Sequence, residues 1–274
     1  MGVLNVTPDS FSDGGLFLDH ERAIAHGAQM VDEGAHIVDV GGESTRPGAE
    51  PVALPEELER VEPVIRGLTE RKVDAQISID TSKAPVAAAA LQAGATLVND
   101  VTALRGDGEM AAVVASAGAD CCLMHMLGEP RTMQLEPRYE DVVDDVRAFL
   151  EARMSYAVGE GIAEERIVLD PGIGFGKTLE HNLELLVRLE ELTELGRPLL
   201  VGSSRKSFLA RLAKGSPGEL ERLPGTIATN VLAFERGASI FRVHDVAPLA
   251  DALAVTAATL AARWTRGATR SRTS

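Results

Sequence analysis

Cysteine, aromatic residues and long apolar runs are scarce in this chain of 274 residues. Its two cysteines, Cys121 and Cys122, are adjacent in an apolar run, which suits neither a disulfide framework nor a zinc site and favours a reducing, cytoplasmic setting. Aromatic residues make up 4% of the chain, so no stacking platform for single-stranded nucleic acid is visible. No apolar stretch approaches about 18 residues, which argues against a membrane-spanning helix. The first six residues also lack a charged leader and a cleavage site.

Positive charge is also in short supply. The 41 acidic residues exceed the 27 basic ones, giving a formal net charge of −14. A field of this sign repels nucleic acid and argues against DNA or RNA as the main partner, but it allows an anionic substrate where basic residues cluster. The one basic stretch, Arg263 to Arg272, is rich in Thr, Ser and Gly, and we expect residues 265–274 to form a disordered tail.

Short β-rich runs alternate with segments of helical periodicity along the whole chain. The eight β-rich runs are Gly2–Val6, His36–Val40, Gln76–Asp80, Thr96–Asn99, Cys121–Met124, Ile167–Asp170, Leu199–Gly202 and Ser239–Val243. Helical periodicity covers His20–Glu33, Glu56–Glu70, Pro85–Gln92, Tyr139–Val158 and Leu179–Glu194. A Gly-Ala pair at 34, 94, 118 and 237 ends a helix and leads into the next strand, because glycine accepts the left-handed conformation that stops a helix.

Strands this short and apolar indicate a parallel sheet that is covered on both faces. Eight β-α units fit either a (β/α)8 TIM barrel or a large, open, doubly wound sheet. The number of units, the length of the chain and the spread of polar residues after many different strands favour the barrel, because an open sheet concentrates its ligand groups at one switch point. No linker or low-complexity block interrupts the pattern. We therefore predict an α/β protein with one TIM-barrel domain over residues 1–274.

Polar residues follow nearly every predicted strand. In chain order they are Asn5, the segment Gly41-Gly-Glu-Ser-Thr-Arg-Pro-Gly48, Asp80, Asn99-Asp100, His125, the segment Asp170-Pro-Gly-Ile-Gly-Phe-Gly-Lys177, the segment Gly202-Ser-Ser-Arg-Lys206 and Arg242-Val-His-Asp245. In a parallel barrel these ends share one face, where barrel enzymes keep their active sites. A single Asp after a strand is often only a helix cap, but eight polar strand ends in succession indicate a site.

The glycine-rich segment after the sixth strand looks like a phosphate-binding loop but lacks the spacing of one. Only three residues separate Gly172 from Gly176, where a P-loop needs four, and the downstream acidic residue of a dinucleotide fingerprint is absent. The segment therefore predicts no nucleotide site.

Several motifs together resemble the dihydropteroate synthase family of pterin-binding TIM barrels. They are Met1-Gly-Val-Leu-Asn-Val-Thr-Pro-Asp-Ser-Phe-Ser-Asp-Gly-Gly15, Gly42-Glu-Ser-Thr-Arg-Pro-Gly48, Ser78-Ile-Asp-Thr81, Asp170-Pro-Gly172, Ser204-Arg-Lys206 and Arg242-Val-His-Asp-Val246. The resemblance covers nearly the whole chain. It implies a TIM barrel, Mg²⁺, usually a homodimer, and the condensation of a dihydropterin-methyl diphosphate with 4-aminobenzoate to give dihydropteroate and diphosphate.

The resemblance also implies roles for individual residues. Those expected to bind the pterin diphosphate are Thr45, Asp80, Asn99, Met124, Asp170, Phe175, Gly202, Lys206, Arg242, Val243 and His244, of which Asp80, Asp170, Lys206 and Arg242 are the expected catalytic residues. Those expected around 4-aminobenzoate are Phe11, Thr45, Arg46, Pro47, Phe175, Ser204 and Lys206, and the expected Mg²⁺ ligand is Asn5. The residue types suit the chemistry, since carboxylate and amide oxygens accept from the donor edge of a pterin and arginine meets phosphate charge.

Other interpretations remain at this stage. Met124 can be ordinary core, Phe11 and Pro47 can merely shape loops, and a lone histidine such as His244 is more often structural. As a whole, the chain can instead be a barrel that passes a methyl group from methyltetrahydrofolate to a corrinoid, or a non-catalytic pterin-binding relative. The first loop and the Ser204–Lys206 segment favour the synthase, and Asn5, Lys206 and Arg242, which a non-catalytic relative is expected to lose, are present.

Overall fold

The computed structural model describes residues 1–7, 16–44, 50–128, 132–213, 218 and 220–269. Its strands are β1 Gly2–Asn5, β2 Ile37–Gly41, β3 Gln76–Asp80, β4 Leu97–Asp100, β5 Asp120–Met124, β6 Ile167–Asp170, β7 Leu200–Val201 and β8 Ile240–Phe241. Its helices are α1 Leu16–Asp32, α2 Leu54–Glu70, α3 Ala84–Ala93, α4 Met110–Ala117, α5 Val142–Gly159, α6 Leu179–Val187, α7 Glu190–Thr193, α8 Ser207–Leu212, α9 Leu223–Glu235 and α10 Val246–Thr269. Each predicted β-rich run overlaps one of these strands, with ends that differ by at most two residues.

The eight strands close into a parallel barrel. Strands β1 to β6 pair in chain order, and β7 pairs with β8. Two parallel bridges complete the ring, because Leu169 at β6 pairs with Leu199 beside β7, and Gly2 in β1 pairs with Val243 beside β8. The alternation of strands and helices therefore produces the predicted (β/α)8 barrel, with the carboxyl ends of all strands on one face.

Glycine ends the helices at the predicted junctions. The φ angles of Gly34, Gly94, Gly118 and Gly237 are 102°, 118°, 59° and 92°. Residues other than glycine rarely adopt positive φ angles of this kind. After α3, the N–H of Gly94 donates to carbonyls of the last helical turn, so the chain reverses at once into β4.

The structure differs from the predicted segments in detail. The predicted helix Leu179–Glu194 is interrupted between α6 and α7, where the Arg188 side chain donates to Glu184, Glu191 and Asp141. Helix α10 continues to Thr269 and so overlaps the predicted tail, while residues 270–274 lie outside the described residues. Among the described residues, no helix is both long and apolar enough to cross a bilayer.

The apolar core has two main parts. The larger part lies between the outer surface of the barrel and the helices. A smaller cluster of Leu97, Cys122, Val168 and Leu200 gathers side chains from four consecutive strands, and partly buried Met1 and Ile240 pack against it. Both cysteine thiols are buried and free, in agreement with the expectation that they form no disulfide. The interior of the barrel is thus a packed core that supports the polar groups nearer its carboxyl face.

Candidate active site

One row of paired residues crosses the first four strands at their carboxyl ends. Asn5 pairs with Gly41, Gly41 with Asp80, and Asp80 with Asn99. Side chains in register on a parallel sheet point to the same face, so this pairing brings three polar groups from β1, β3 and β4 together. The sequence-predicted residues Asn5, Asp80 and Asn99 therefore share one edge of the barrel mouth.

Asp39, which sequence reasoning missed, is the hydrogen-bonding centre of this region. It lies in β2 and is completely buried. Its carboxylate accepts from Ser78 Oγ at 2.6 Å, from Asn99 Nδ2 at 3.0 Å and from Arg242 Nε at 2.7 Å. One carboxylate thus fixes side chains of β3 and β4 and the arginine that follows β8. The sequence signal that could have revealed Asp39 is an acidic residue between two β-branched residues in the middle of an apolar strand.

Arg242 bridges two buried carboxylates. Its Nη2 donates to Asp80 Oδ2 at 2.7 Å while its Nε donates to Asp39. Burial alone would lower the pKa of Arg242, but the two carboxylates outweigh burial and raise it. Burial raises the pKa of Asp80 to about 7, against the guanidinium of Arg242, which lowers it. The arginine is therefore a fixed cation, and Asp80 is a carboxyl group that titrates near neutral pH.

Asp170 lies beside this cluster at the end of β6, in register with Met124 of β5. Its Oδ1 accepts from the N–H of Gly172 at 2.7 Å. Burial raises the pKa of Asp170 to about 6, opposed by that hydrogen bond and by the charges of Lys206, Lys177 and Arg242. Above this pH the side chain is a buried carboxylate, which can only accept hydrogen bonds.

An apolar wall stands next to Asp170. Val101, Met124, Met126 and Met133 form a small buried cluster, and Phe175 packs against it. Sequence reasoning found Met124 and Phe175 but not the other three. Thioether side chains adapt to flat, polarizable surfaces, so this wall suits one face of a heteroaromatic ring.

Lys206 reaches the same place from the turn after β7. Its ammonium lies 3.9 Å from the centroid of the Phe175 ring. A Cβ at Gly174 would come within 3.0 Å of Lys206 Cδ, so the lysine stem packs directly on the glycine-rich loop. The contact places a cation on the apolar wall, and the charge of this cation lowers the pKa of Asp170.

Hydrogen bonds and an ion pair join the turn after β7 to the turn after β8. Ser204 Oγ lies 3.0 Å from His244 Nδ1 and accepts from the His244 backbone N–H at 3.2 Å. Arg205, at the left-handed φ of 58°, forms a bidentate ion pair with Asp245 at 2.6 and 3.0 Å. The Ser204–Lys206 segment is a turn, and α8 begins after it at Ser207.

The other two predicted residues of this part of the barrel are Gly202, which follows β7, and Val243, which follows β8. A Cβ at Gly202 would approach the Arg242 side chain at 3.8 Å. Val243 closes the barrel, since its N–H donates to Met1 O and its carbonyl accepts from Val3 N, both at 2.9 Å. The predicted residues Phe11, Thr45, Arg46 and Pro47 lie outside the described residues.

The surroundings of Asn5 suit a magnesium ion that also binds substrate oxygens. A Cβ at Gly41 would lie 3.9 Å from Asn5 Oδ1 and 3.7 Å from Asp80 Oδ2, so the absence of a side chain leaves room between two oxygen donors. No group of three His, Cys, Asp or Glu residues in the described part of the chain could hold a metal by itself. Mg²⁺ is commonly bound by one or two protein oxygens together with phosphate and water, and the donors present fit that pattern.

The site therefore combines three chemically distinct parts. Asp170 and Asp80, with the amide of Asn99, can accept hydrogen bonds from a flat donor-rich ring that the methionine wall covers. Arg242 and His244 lie towards β8, on the side of Asn5. The site can therefore hold a ring at one end and an anionic group at the other. Asn5 and His244 also line a separate cavity of about 460 Å³ between α1 and the start of α10, which Glu33 and Asp245 line as well but Asp80, Asp170 and Lys206 do not.

Comparison with known proteins gives a consistent result. The model of a family described as pterin binding enzyme matches residues 1–244. The chain is 51% identical to dihydropteroate synthase of Synechocystis sp. over 92% of this chain and 86% of that protein. It is 47% identical to dihydropteroate synthase of Escherichia coli over 96% of this chain and 92% of that protein.

Solved structures agree. The Yersinia pestis dihydropteroate synthase, solved with a sulfonamide drug complex, has a TM-score of 0.89 and 45% identity, over 95% of this chain and 94% of that chain. The Xanthomonas albilineans dihydropteroate synthase with 4-aminobenzoic acid also has a TM-score of 0.89, with 46% identity, over 95% of this chain and 92% of that chain. The same Xanthomonas enzyme in complex with 7,8-dihydropteroate has a TM-score of 0.86 and 43% identity, over 95% and 93% of the two chains.

Proposed function

The chain belongs to the pterin-binding enzyme family, and from that premise we propose that it condenses (7,8-dihydropterin-6-yl)methyl diphosphate with 4-aminobenzoate to give 7,8-dihydropteroate and diphosphate. It is thus a dihydropteroate synthase, a transferase of a pterin-methyl group. The observation that carries this assignment is the buried carboxyl group of Asp170, in register with Met124 of the apolar wall and influenced by the charges of Lys206 and Arg242. Relatives solved with 4-aminobenzoic acid and with 7,8-dihydropteroate support the choice of substrates.

The pterin occupies the part of the site around Asp170. A pterin edge carries an exocyclic amine and ring N–H donors, and a carboxylate can accept two of them in parallel. Asp170 is the primary acceptor, with Asp80 and Asn99 completing the polar edge. Met124 and Phe175 cover a face of the ring, and Lys206 faces its carbonyl and ring nitrogen.

The diphosphate lies towards β1 and β8. Arg242 and His244 face its charge, Thr45 donates a hydrogen bond, and Gly202 and Val243 complete the binding surface. Asn5 would hold Mg²⁺, and the diphosphate and water would supply the other ligands. When bound, this ion neutralises charge on the departing diphosphate.

The second substrate enters from the loops. The family resemblance assigns Phe11, Thr45, Arg46, Pro47, Phe175, Ser204 and Lys206 to the site of 4-aminobenzoate. The amine nitrogen of 4-aminobenzoate forms a bond to the pterin methylene carbon, and the carbon–oxygen bond between that carbon and the diphosphate breaks. The electron pair of that bond leaves with the diphosphate, and the amine releases a proton. An arylamine needs no prior deprotonation, so the site works by fixing geometry and stabilising charge rather than through a nucleophilic triad.

The active form is a cytoplasmic homodimer. Val187 at the end of α6 and Leu232 on α9 are 61% and 42% exposed, and the Arg236 side chain donates to the backbone carbonyls of both, so the two apolar residues lie near each other at the surface. Light scattering after size exclusion tests this: the wild type elutes at twice the chain mass and Leu232→Glu at the chain mass. A monomeric wild type rejects the dimer.

Calorimetry tests the division of the substrate site. We expect the pterin diphosphate to bind more tightly with Mg²⁺ than without it, and the parent dihydropterin alcohol to bind equally well in both conditions. Equal magnesium dependence for both ligands, or none for either, argues against Asn5 and Mg²⁺ at the diphosphate.

A further inference from the structure

The glycine-rich loop after β6 is packed tightly against the backbone that follows β5. A Cβ at Gly172 would lie 1.9 Å from His125 O, and one at Gly176 would lie 2.8 Å from Leu127 O. Both glycines have left-handed φ angles, of 66° and 63°. Glycine is therefore required for close approach of two backbones, which explains the motif without any nucleotide.

Lys177, at the end of this loop, ties the two segments together. Its side chain is buried, with 3% exposed. The ammonium donates to Phe175 O at 3.0 Å and lies 2.9 Å from His125 Nδ1 and 3.5 Å from His125 O. Among the described residues no carboxylate lies within ion-pair distance of it. A buried lysine held by neutral acceptors costs folding free energy, so stability alone does not account for its presence.

The uncharged ring of His125 accepts a hydrogen bond from the Lys177 ammonium through Nδ1. Its ring meets Phe149 edge to face with centroids 4.9 Å apart, and its backbone N–H donates to Asp170 O at 2.9 Å. Burial and the neighbouring charge of Lys177 lower the pKa of His125 to about 2, so the ring is uncharged. The contact is consequently a hydrogen bond from a cation to a neutral nitrogen.

The charge of Lys177 acts on Asp170. Burial lowers the pKa of Lys177 to about 7, and Asp170 raises it while Lys206 lowers it further. In return, Lys177 lowers the pKa of Asp170, as do the Gly172 N–H, Lys206 and Arg242. The Cys122 thiol on β5 also faces Asp170, and burial raises its pKa so far that it stays protonated.

We propose that Lys177 is a positioning residue of the pterin site, which holds the glycine-rich loop after β6, and Phe175 with it, against His125 and carries a buried positive charge on the Asp170 side of that loop. The proposal rests on the proposed function, because it concerns how that site binds a pterin. Lys177 does not touch the substrate; it acts through Phe175 and Asp170.

The test is the pH dependence of binding of the parent dihydropterin alcohol, measured by calorimetry from pH 5 to pH 8 on the full chain. Lys177→Met removes the charge at similar volume, and Lys177→Gln removes it but keeps a donor for Phe175 O. Lys72→Met, in the exposed turn after α2, is the control for the same change in net charge.

In both Lys177 variants the pH below which binding weakens should rise by about half a unit or more, because Asp170 loses an opposing charge. At pH 5, below the pKa of Asp170 in either protein, the affinity of Lys177→Met should fall about threefold or more, and much less at pH 7, with a smaller loss in Lys177→Gln. Lys72→Met should match the wild type in both respects.

Thermal unfolding separates this role from a structural one. Both Lys177 variants should be at least as stable as the wild type, since an unpaired buried charge is removed. Unfolded variants, or folded variants with an unchanged pH profile, overturn the proposal. A wild type that binds no pterin at any pH rejects the proposed function instead.

Discussion

Replacing Asp170 by asparagine should make the free protein more stable and the pterin complex weaker. The two side chains have nearly the same shape, and the asparagine Oδ1 can keep the hydrogen bond from Gly172 N–H, which is 2.7 Å long in the wild type. The substitution therefore removes a charge without opening a cavity. In the complex it turns a group that only accepts into one that also presents donors to a donor edge.

The magnitude follows from the raised pKa of Asp170. Burial moves it from the ordinary 3.8 to about 6. A group whose folded pKa is raised binds more protons when folded, so its ionisation costs stability as pH rises from the unfolded to the folded value, and the full cost is present above the folded value. At about 1.4 kcal/mol per unit, that cost reaches about 3 kcal/mol. Asp170→Asn should recover about 1–3 kcal/mol of unfolding free energy at pH 8, and almost none at pH 3.5.

Urea denaturation followed by circular dichroism at the two pH values measures the stability. Exposed Asp74→Asn makes the same change in net charge and serves as the control. Calorimetry with the dihydropterin alcohol should show at least about a tenfold loss of affinity, since a charged buried hydrogen bond is worth about 1.5–3 kcal/mol. An unchanged affinity in a folded variant, or a loss of stability at pH 8 that Asp74→Asn does not share, refutes this account of Asp170.

Three further predictions concern the rest of the site. Asn5→Ala should weaken Mg²⁺-dependent binding of the pterin diphosphate and leave binding of the alcohol nearly unchanged in calorimetry; equal losses indicate a folding role. Asp39→Asn should lower the free energy of unfolding by about 3 kcal/mol in urea, because Arg242 loses a buried partner, and an unaffected midpoint contradicts its central place. Phe11→Leu and Pro47→Ser should raise the KM for 4-aminobenzoate, and the Ki of sulfonamides, much more than the KM for the pterin in steady-state kinetics, and equal shifts of both KM values contradict the division into two pockets.

The barrel and most strand ends could be predicted because they follow from local pattern. Short β-rich runs of four or five residues appear eight times with polar residues at their ends, a Gly-Ala pair leads into four of them, and the register then brings Asn5, Asp80 and Asn99 to one edge. The interruption between α6 and α7 could not be predicted in this way. It coincides with Arg188 contacts that include Asp141, a residue distant in sequence.

Asp39 and Lys177 escaped notice because their roles depend on distant partners. Asp39 is in mid-strand, and its three donors come from β3, β4 and the end of β8. In the sequence, Lys177 resembles the end of an imperfect phosphate-binding loop. The structure shows that the glycines of this loop allow two backbone segments to approach closely, as Gly172 does to His125 O. Sequence spacing locates strand ends, but it does not show which side chains meet across the barrel.

Product formation by the purified chain tests the central claim most directly. The chain is incubated with (7,8-dihydropterin-6-yl)methyl diphosphate and Mg²⁺, with and without 4-aminobenzoate, and dihydropteroate and diphosphate are quantified by mass spectrometry and a coupled phosphate assay. We predict equal amounts of the two products when both substrates are present, and no dihydropteroate when 4-aminobenzoate or the pterin is omitted. Absence of dihydropteroate from a folded chain that binds both substrates, or transfer of a methyl group from methyltetrahydrofolate to a corrinoid in its place, would contradict the account.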